Sequence, residues 1–394
     1  MKLLLITMLF PNKLQPAKAP FVMSLAQALK KHCDLQVVAP IRPNVKIILD
    51  LIVRDRNNSY IGVPEKEIVK EIVIWHPLVF LPPLILRSLH GILYFISIAG
   101  IVKRISRNFK FDLILSPYLF PDGFASVLVG LFFNKPVVIE ARGCDVNYLK
   151  NFFIRRCMIK FACRKAKAIV AVSADLKEKL TQLGIAPEKI HVIYNGIDVS
   201  KFSKLETIEC RRKLGLPLSK RIILFVGSLE FVKGIDVLIN AWGDLYKKYA
   251  DDILLVLVGD GGAKESIINS IDKMNLRGSV LLAGSRPHDE ISCWMNACDI
   301  FCLPSRREGY PNVLLEALSC GRFIVASEVG GIPEIVTSDQ IGMLFKPADS
   351  KDLASVLDCE LKKNYFHKIS PQVMRSWTES AKERVSLFSS MGNI

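Results

Sequence analysis

Short, continuous apolar runs recur along this chain, with room for one helix between each run and the next, and this pattern limits its fold more than any other feature. Runs at 3–9, 35–39, 113–115, 137–140 and 168–173 fill the first half, and runs at 222–226, 254–258, 280–283, 300–303 and 323–326 fill the second. A strand with one wet face alternates apolar and polar residues. A continuous apolar run marks a strand covered on both faces, as in a parallel sheet wrapped by helices. Amphipathic patterns at 21–31, 234–249 and 313–320 supply helices of that kind. The expected fold class is therefore α/β, with two doubly wound parallel sheets built from strand–helix–strand units. The 394 residues suffice for two domains. Asn195-Gly196 is a turn signal, and the charged stretch 198–220 is punctuated by Gly215 and Pro217. The domains are read as 1–197 and 198–365, followed by 366–394, where Trp377 and the apolar positions of 381–385 indicate a last helix. Ligands of doubly wound sheets bind at the carboxyl ends of the strands, which places the active site in the cleft between the two domains.

Charge narrows the choice of partner. Lys and Arg number 53 against 38 Asp and Glu, a net charge of +15. Such a balance suits nucleic acid, an anionic membrane surface or phosphorylated substrates; its plain alternative is a basic protein with scattered Lys and Arg. The sequence has neither zinc-finger spacing nor an RNA-recognition signature, so no nucleic-acid partner is expected. The ten cysteines are dispersed, with no C-x-x-C pair, and no His cluster stands at metal-ligand spacing. Cys33, Cys144 and Cys302 lie in or beside apolar runs and read as small buried hydrophobes. This usage fits a reducing, cytoplasmic setting and no metal site. The opening residues resemble a weak signal peptide, but the run is short and lacks a small-residue cleavage site before Pro11, so a first buried strand is the better reading. Residues 75–102 are unusually apolar yet interrupted by Pro82-Pro83, Arg87 and His90, and Lys103, Arg104, Arg107 and Lys110 follow them. A second stretch, 153–167, mixes Phe153, Ile154 and Phe161 with Arg155, Arg156, Lys160, Arg164, Lys165 and Lys167. Apolar segments beside basic clusters suit peripheral contact with an anionic membrane face, and a packed core helix with a solvated basic face is the alternative.

The residues that carry chemistry lie mostly at 303–321. A strand ends at Pro304, a loop containing Ser305, Arg306, Arg307, Glu308, Gly309, Tyr310, Pro311 and Asn312 follows, and a helix bearing Glu316 runs to Gly321. Two carboxylates so placed can each bind a pair of vicinal hydroxyls. Backbone N–H groups at the helix start can hold a diphosphate, because that end carries partial positive charge. The segment reads Pro-Ser-x-x-Glu-Gly-x-Pro-x-x-x-x-Glu-Ala-x-x-x-Gly, with seven residues between Glu308 and Glu316. In every fixed position it resembles the signature of the retaining glycosyltransferases of family 4, the group 1 transferases with the GT-B fold. Gly227-Ser228 followed by Lys233-Gly234 resembles that family's phosphate-binding turn, 258–262 its next glycine-rich turn, and 325–334 its loop after the signature helix.

The resemblance implies GT-B architecture: two Rossmann-like domains facing a central cleft, the first binding acceptor, the second binding nucleotide sugar, and a last helix crossing back to the first. It implies that Glu308 holds hydroxyls of the donor sugar, Glu316 holds the ribose, and Lys233 neutralises the diphosphate as charge develops on the leaving group. Gly227, Ser228, Gly259, Gly284, Arg286, Gly309, Tyr310, Pro311, Asn312 and Val313 complete the donor-binding set. Glu308, Lys233 and Asp145 form the catalytic set. In the first domain 140–147 resembles the family's His-Gly-x-Asp loop, which gives Arg142, Gly143, Asp145 and Asn147 the acceptor side. Three positions depart from the pattern. Ser228 stands where members often have Arg, so a second cation on the diphosphate is missing there; Arg306, Arg307 or a residue of the first domain substitutes for it, or that half of the clamp is weaker. Ala17-Lys18-Ala19-Pro20 replaces a glycine-bearing loop. Arg142 replaces His, and because Arg stays protonated it holds an anion rather than acting as a base, which leaves Asp145 to orient the acceptor hydroxyl or to cap a helix. Asn195 or Gly196 is expected in a left-handed conformation. Ser173 either lines the cleft or caps the helix that follows.

The leading expectation is a metal-independent, retaining hexosyl transfer from a UDP- or GDP-linked sugar to a hydroxyl of a cell-envelope glycan or lipid-linked acceptor, as in polysaccharide, lipopolysaccharide or capsule biosynthesis. The nucleotide sugar is a substrate, and no cofactor is implied. The protein would be cytoplasmic and peripheral at the inner membrane face. Two other readings stay open: a sugar-nucleotide epimerase or hydrolase, and a non-catalytic GT-B-like subunit that binds nucleotide sugar.

Overall fold

The structure, a computed structural model, describes residues 1–15, 18–42, 63–82, 88–143, 146, 153–363 and 374–391. Asp145, Asn147, Cys144, Ala17, Pro83 and Arg87 of the sequence reading lie outside the described residues. Contacts divide the chain into two compact units, Met1–Tyr194 with Trp377–Ile394, and Asn195–Ser376.

Unit 1 is built on an eight-stranded sheet. Its strands are β1 (Lys2–Ile6), β2 (Asp34–Val38), β3 (Lys66–Val69), β4 (Ile72–Trp75), β5 (Leu113–Ser116), β6 (Val137–Ala141), β7 (Ala168–Ala171) and β8 (Ile190–Val192), in the order β3-β4-β2-β1-β5-β6-β7-β8. All neighbours pair parallel except β3 and β4, an antiparallel hairpin at the edge. The helices are α1 (Pro20–Lys30), α2 (His90–Asn108), α3 (Phe124–Phe133), α4 (Phe153–Lys165) and α5 (Ala174–Gln182). The continuous runs are buried as expected: every residue of β5, β6 and β7 is enclosed. The first strand is shorter than its apolar run. It stops at Ile6 because Thr7 turns aside, its hydroxyl donating to the Asp122 carboxylate at 2.9 Å and the Met8 amide donating to the same oxygen at 3.0 Å. The 168–173 run ends early for a similar reason, since the Ser173 side chain caps α5 by accepting from the Leu176 amide. Of the apolar stretch 75–102, the described helical part is α2, which buries Tyr94, Ile98, Ile101, Val102 and Ile105 on one face. Among the described residues no helix is long and apolar enough to cross a membrane.

Unit 2 has a six-stranded sheet, parallel throughout: β9 (Arg221–Val226), β10 (Ile253–Val258), β11 (Val280–Gly284), β12 (Ile300–Leu303), β13 (Phe323–Ser327) and β14 (Gly342–Phe345), in the order β11-β10-β9-β12-β13-β14. Its helices are α6 (Thr207–Leu214), α7 (Ile235–Tyr249), α8 (Lys264–Lys273), α9 (His288–Ala297), α10 (Asn312–Ser319) and α11 (Ser350–Leu361). The reversal of strand order between β9 and β12 is a topological switch point, and ligands of such sheets bind at the carboxyl ends of the strands beside it. The ends of this unit meet in space: Ile197 bridges Ser376, and the Ile197 amide donates to the Arg375 carbonyl at 2.9 Å.

The last helix, α12 (Trp377–Ser390), belongs to unit 1 and packs on α1. Trp377, Ala381 and Phe388 join the core formed by Leu3, Leu5, Val22, Leu25 and Val138. Between these apolar contacts sits a charged cluster. The Arg384 Nε donates to Glu140 Oε1 at 2.7 Å with both side chains fully enclosed, and Arg142 donates to Glu140 Oε2 at 2.5 Å. Burial pushes the Glu140 carboxyl up, but the two guanidiniums outweigh it and hold that carboxyl below its ordinary range. Neither local pattern nor spacing signals the Glu140–Arg384 pair, because its partners lie 244 positions apart.

Candidate donor site in unit 2

Three turns line up at the carboxyl ends of β9, β10 and β11. The Gly227 amide donates to the Val258 carbonyl at 3.0 Å, and the Gly259 amide donates to the Gly284 carbonyl at 2.9 Å. The approach is close enough that a Cβ on Gly259 (φ 148°) would lie 1.8 Å from the Gly227 carbonyl oxygen. Only glycine fits there, which explains the Val258-Gly259 ending of β10. Ser228 is exposed beside this turn.

The next turn brings in a cation. Gly234 (φ 67°) follows Lys233, and a Cβ on it would stand 1.9 Å from the Pro304 carbonyl oxygen. The chain after β9 is thereby pressed against the loop after β12, an approach also held by the Arg306 amide donating to the Val232 carbonyl at 2.8 Å. Lys233 Nζ then reaches Glu308 Oε1 at 2.7 Å, and the Ser305 hydroxyl donates to the same oxygen at 2.6 Å. Ser305 is itself buried, its carbonyl accepting from the Ser327 hydroxyl at 2.5 Å. Behind the Glu308-Gly309 backbone runs the loop after β13, whose Gly331 amide donates to the Gly309 carbonyl at 3.0 Å. Among the described residues no hydrogen bond falls on Glu308 Oε2.

Pro311 is the N-cap residue of α10, which starts at Asn312 and Val313. Pro311 is buried, and Tyr310, Asn312 and Val313 are half-buried. The Asn195 Nδ2 donates to Asn312 Oδ1 at 2.9 Å, fixing the first turn of the helix. Asn195 and Gly196 do not take the left-handed conformation expected of them; positive φ occurs elsewhere. The Asn195 side chain bonds α10 instead, so it needs no local turn to satisfy its amide. One turn into α10, Glu316 Oε1 sits 3.2 Å from His288 Nε2. That hydrogen bond raises the His288 pKa despite partial burial, and Phe202 packs against the imidazole edge-on, centroids 5.2 Å apart. Sequence reasoning missed His288, the first residue of α9, because a single His in a polar segment carries no signal. Arg286, just before it, is exposed, donates to the Ala283 carbonyl at 3.0 Å and stacks over Trp294.

The geometry also settles what Arg306 does. It grips Asp236 with two bonds of 2.7 and 2.6 Å and stacks 3.9 Å from the Phe231 ring centroid. Burial raises the Asp236 carboxyl, yet the Arg306 bonds more than offset this and depress it. Arg306 is therefore committed to buttressing the Lys233 turn. Arg307 is exposed and has no hydrogen bond or ion pair among the described residues.

The chain matches the family described as "Glycosyl transferases group 1" over residues 206–384 and that described as "Glycosyltransferase Family 4" over residues 19–201. A Bacillus subtilis (strain 168) glycosyltransferase named for teichuronic acid biosynthesis, TuaC, is 30% identical over 370 residues, covering 91% of this chain and 88% of that protein. The chain belongs to the family 4 glycosyltransferases. A Campylobacter jejuni 4-alpha-N-acetylgalactosaminyltransferase, whose named substrate is an N-acetylgalactosamine-N,N'-diacetylbacillosaminyl-diphospho-undecaprenol, is 29% identical over 68% of this chain and 73% of that one. Anabaena HepE, solved in complex with UDP and glucose, superposes with a TM-score of 0.76 at 19% identity over 99% of this chain and 100% of that one, and so shares the GT-B fold.

In this glycosyltransferase the first-domain candidates are placed less fully than those of unit 2. Arg142 is buried at the end of β6, paired with Glu140 and stacked on Phe21 with 5.1 Å to the ring centroid. Gly143 follows with φ 115°, and Asp145 and Asn147 lie outside the described residues.

Proposed function

We propose that this glycosyltransferase moves a hexosyl unit, with retention at the anomeric carbon, from a UDP- or GDP-sugar to a hydroxyl of a cell-envelope glycan or lipid-linked acceptor. The observation that carries the proposal is the placing of two carboxylates on either side of the start of α10, Glu308 bonded to the Lys233 ammonium and Glu316 to the His288 imidazole. Each carboxylate keeps an oxygen for a hydroxyl pair, Glu308 for the sugar and Glu316 for the ribose. In the transfer, the bond from the anomeric carbon to the diphosphate oxygen breaks, and the acceptor oxygen bonds to the same face. The departing phosphate takes the acceptor proton. Lys233 and the amides at the start of α10 meet the charge that grows on the diphosphate, so no metal ion is needed. The teichuronic acid biosynthesis in the name of the Bacillus relative and the diphospho-undecaprenol substrate in that of the Campylobacter relative support an envelope glycan or a polyprenol-linked acceptor.

The same reading puts the protein at the inner membrane face. It is supported by α3 and α4, which leave Leu131, Phe132, Phe153 and Ile154 exposed, Phe153 by 82%, beside Arg156, Lys160 and Arg164. Replacing Phe153 and Ile154 by Ser should abolish flotation with anionic vesicles; unchanged flotation would remove this part of the proposal.

The deciding experiment offers a panel of nucleotide sugars with membrane lipid extract and follows nucleotide release and sugar incorporation together. One donor should be consumed with matching incorporation, in the presence of EDTA as well, and Glu316→Ala should lose both signals. Nucleotide release with no incorporation into any acceptor would favour hydrolysis, and binding of donor with neither signal would favour a non-catalytic subunit.

A further inference from the structure

Unit 1 has a cavity of about 590 Å³ that the transfer reaction does not use. It lies where Lys135-Pro136 leads into β6 and Lys167 leads into β7, at the amino ends of these parallel strands, whereas Arg142 and Gly143 follow β6 at its other end. We infer that this cavity is an anion site that takes a phosphate-bearing ligand.

Four lysines line it, Lys135, Lys165, Lys167 and Lys189, and its lining residues include no Asp or Glu. Lys189 is fixed in place, its ammonium donating to the Arg164 carbonyl at 2.7 Å and the Ala166 carbonyl at 3.2 Å, so it satisfies the end of α4. Lys135, Lys165 and Lys167 have no ion pair or side-chain hydrogen bond among the described residues. The carboxyl ends of α3 and α4 both point this way, and a lysine near a helix end is often only a response to its dipole. Each helix end, however, supplies only about half a negative charge, and four ammonium groups exceed both together by roughly three. Like charges gathered around a concave space raise the local potential and draw in an anion of matching charge. The volume falls within the range of small-ligand sites, about 300–1,000 Å³. Leu131, 55% exposed, lines the same cavity, so one wall is apolar. A phosphate carried by a soluble metabolite and a phosphate carried by a lipid headgroup share the required chemistry.

The test is lysine acetylation of the full chain, read residue by residue by mass spectrometry, with inorganic pyrophosphate or with phosphatidylcholine vesicles containing or lacking phosphatidylglycerol. Protection of Lys135, Lys165 and Lys167 by pyrophosphate assigns a soluble ligand, and protection only by phosphatidylglycerol vesicles assigns a headgroup. Protection confined to Lys233, or none at all, overturns the inference. In parallel, K135Q/K165Q/K167Q should weaken binding of the protecting probe by about tenfold or more, while Lys233→Ala leaves it in place. A triple variant that binds as the wild type does would also overturn it. Because the probes act at the far end of the sheet from Arg142, failure here would leave the transfer proposal standing, and the reverse holds too.

Discussion

Replacing Arg384 by Met removes a charge from the interior of unit 1 with little change in volume. The wild-type cluster holds one carboxylate between two guanidiniums, and the Glu140 and Arg384 side chains have no solvent exposure at all. Deleting one partner of such a pair typically costs about 3–5 kcal/mol, because the remaining ion stays buried without its counter-charge. Glu140 keeps Arg142, its 2.5 Å partner, so the lower end applies, about 3 kcal/mol. For a unit of this size that amounts to roughly 6–12 °C in Tm. The variant E140Q/R384M should recover little of the loss, since it takes the Glu140 carboxylate away from the buried Arg142 guanidinium. The assay is urea unfolding followed by hydrogen exchange in peptides spanning β6 and α12, which reports on unit 1 alone. Acid supplies a second check on sign. The Glu140 carboxyl is depressed in the folded state, so its contribution is present above the ordinary carboxylate range and is lost as pH falls through the depressed folded value. The gap between R384M and wild type should therefore close in acid. A variant within about 1 kcal/mol of wild type at neutral pH, or a gap that widens in acid, would refute the reasoning.

Other consequences are as direct. Gly234→Ala meets the Pro304 carbonyl at 1.9 Å in a left-handed conformation, so it should destabilise unit 2 by about 2–3 kcal/mol and raise the donor KM by shifting Lys233, measured by unfolding and steady-state kinetics. His288 has a raised pKa in the folded state. The stability drawn from its bond to Glu316 is present in mild acid and fades as pH rises through that raised value, and His288→Ala should remove this slope from the pH profile of unit 2 unfolding. Asn195→Ala should loosen the first turn of α10 by about 1 kcal/mol, visible as faster amide exchange at 312–316.

Much of the architecture was legible because burial on both faces leaves a continuous apolar run, and all ten runs coincide with strands of the two sheets. Four strands were not read from the sequence, although β4 carries the apolar run 72–75. β3 and β4 form an edge hairpin in which Lys66 and Ile68 stay exposed, β8 is only three residues long, and β14 opens with a glycine. Strand ends were misjudged where a side chain intervened, as at Thr7 and Ser173. In the site, Glu308 and Glu316 stood out by spacing, since one loop and one helix hold them, and Lys233 by the resemblance of its turn to the family's. His288 and the Asn195–Asn312 bond depend on elements brought together only by folding, and no local pattern encodes that.

The discontinuity of unit 1 bears on how the chain can be made. Asn195–Ser376 has its two ends hydrogen-bonded to each other and its own core, so it is laid out as an insertion that can finish folding by itself. The sheet of residues 1–194, synthesised first, is left with its Glu140 lacking Arg384 and with Leu3, Val22 and Leu25 lacking the cover of Trp377, Ala381 and Phe388. During translation the earlier half waits through the whole of this insertion for its last helix, whereas the insertion can close once Ser376 is made. The nascent first half is therefore the part most in need of protection from aggregation.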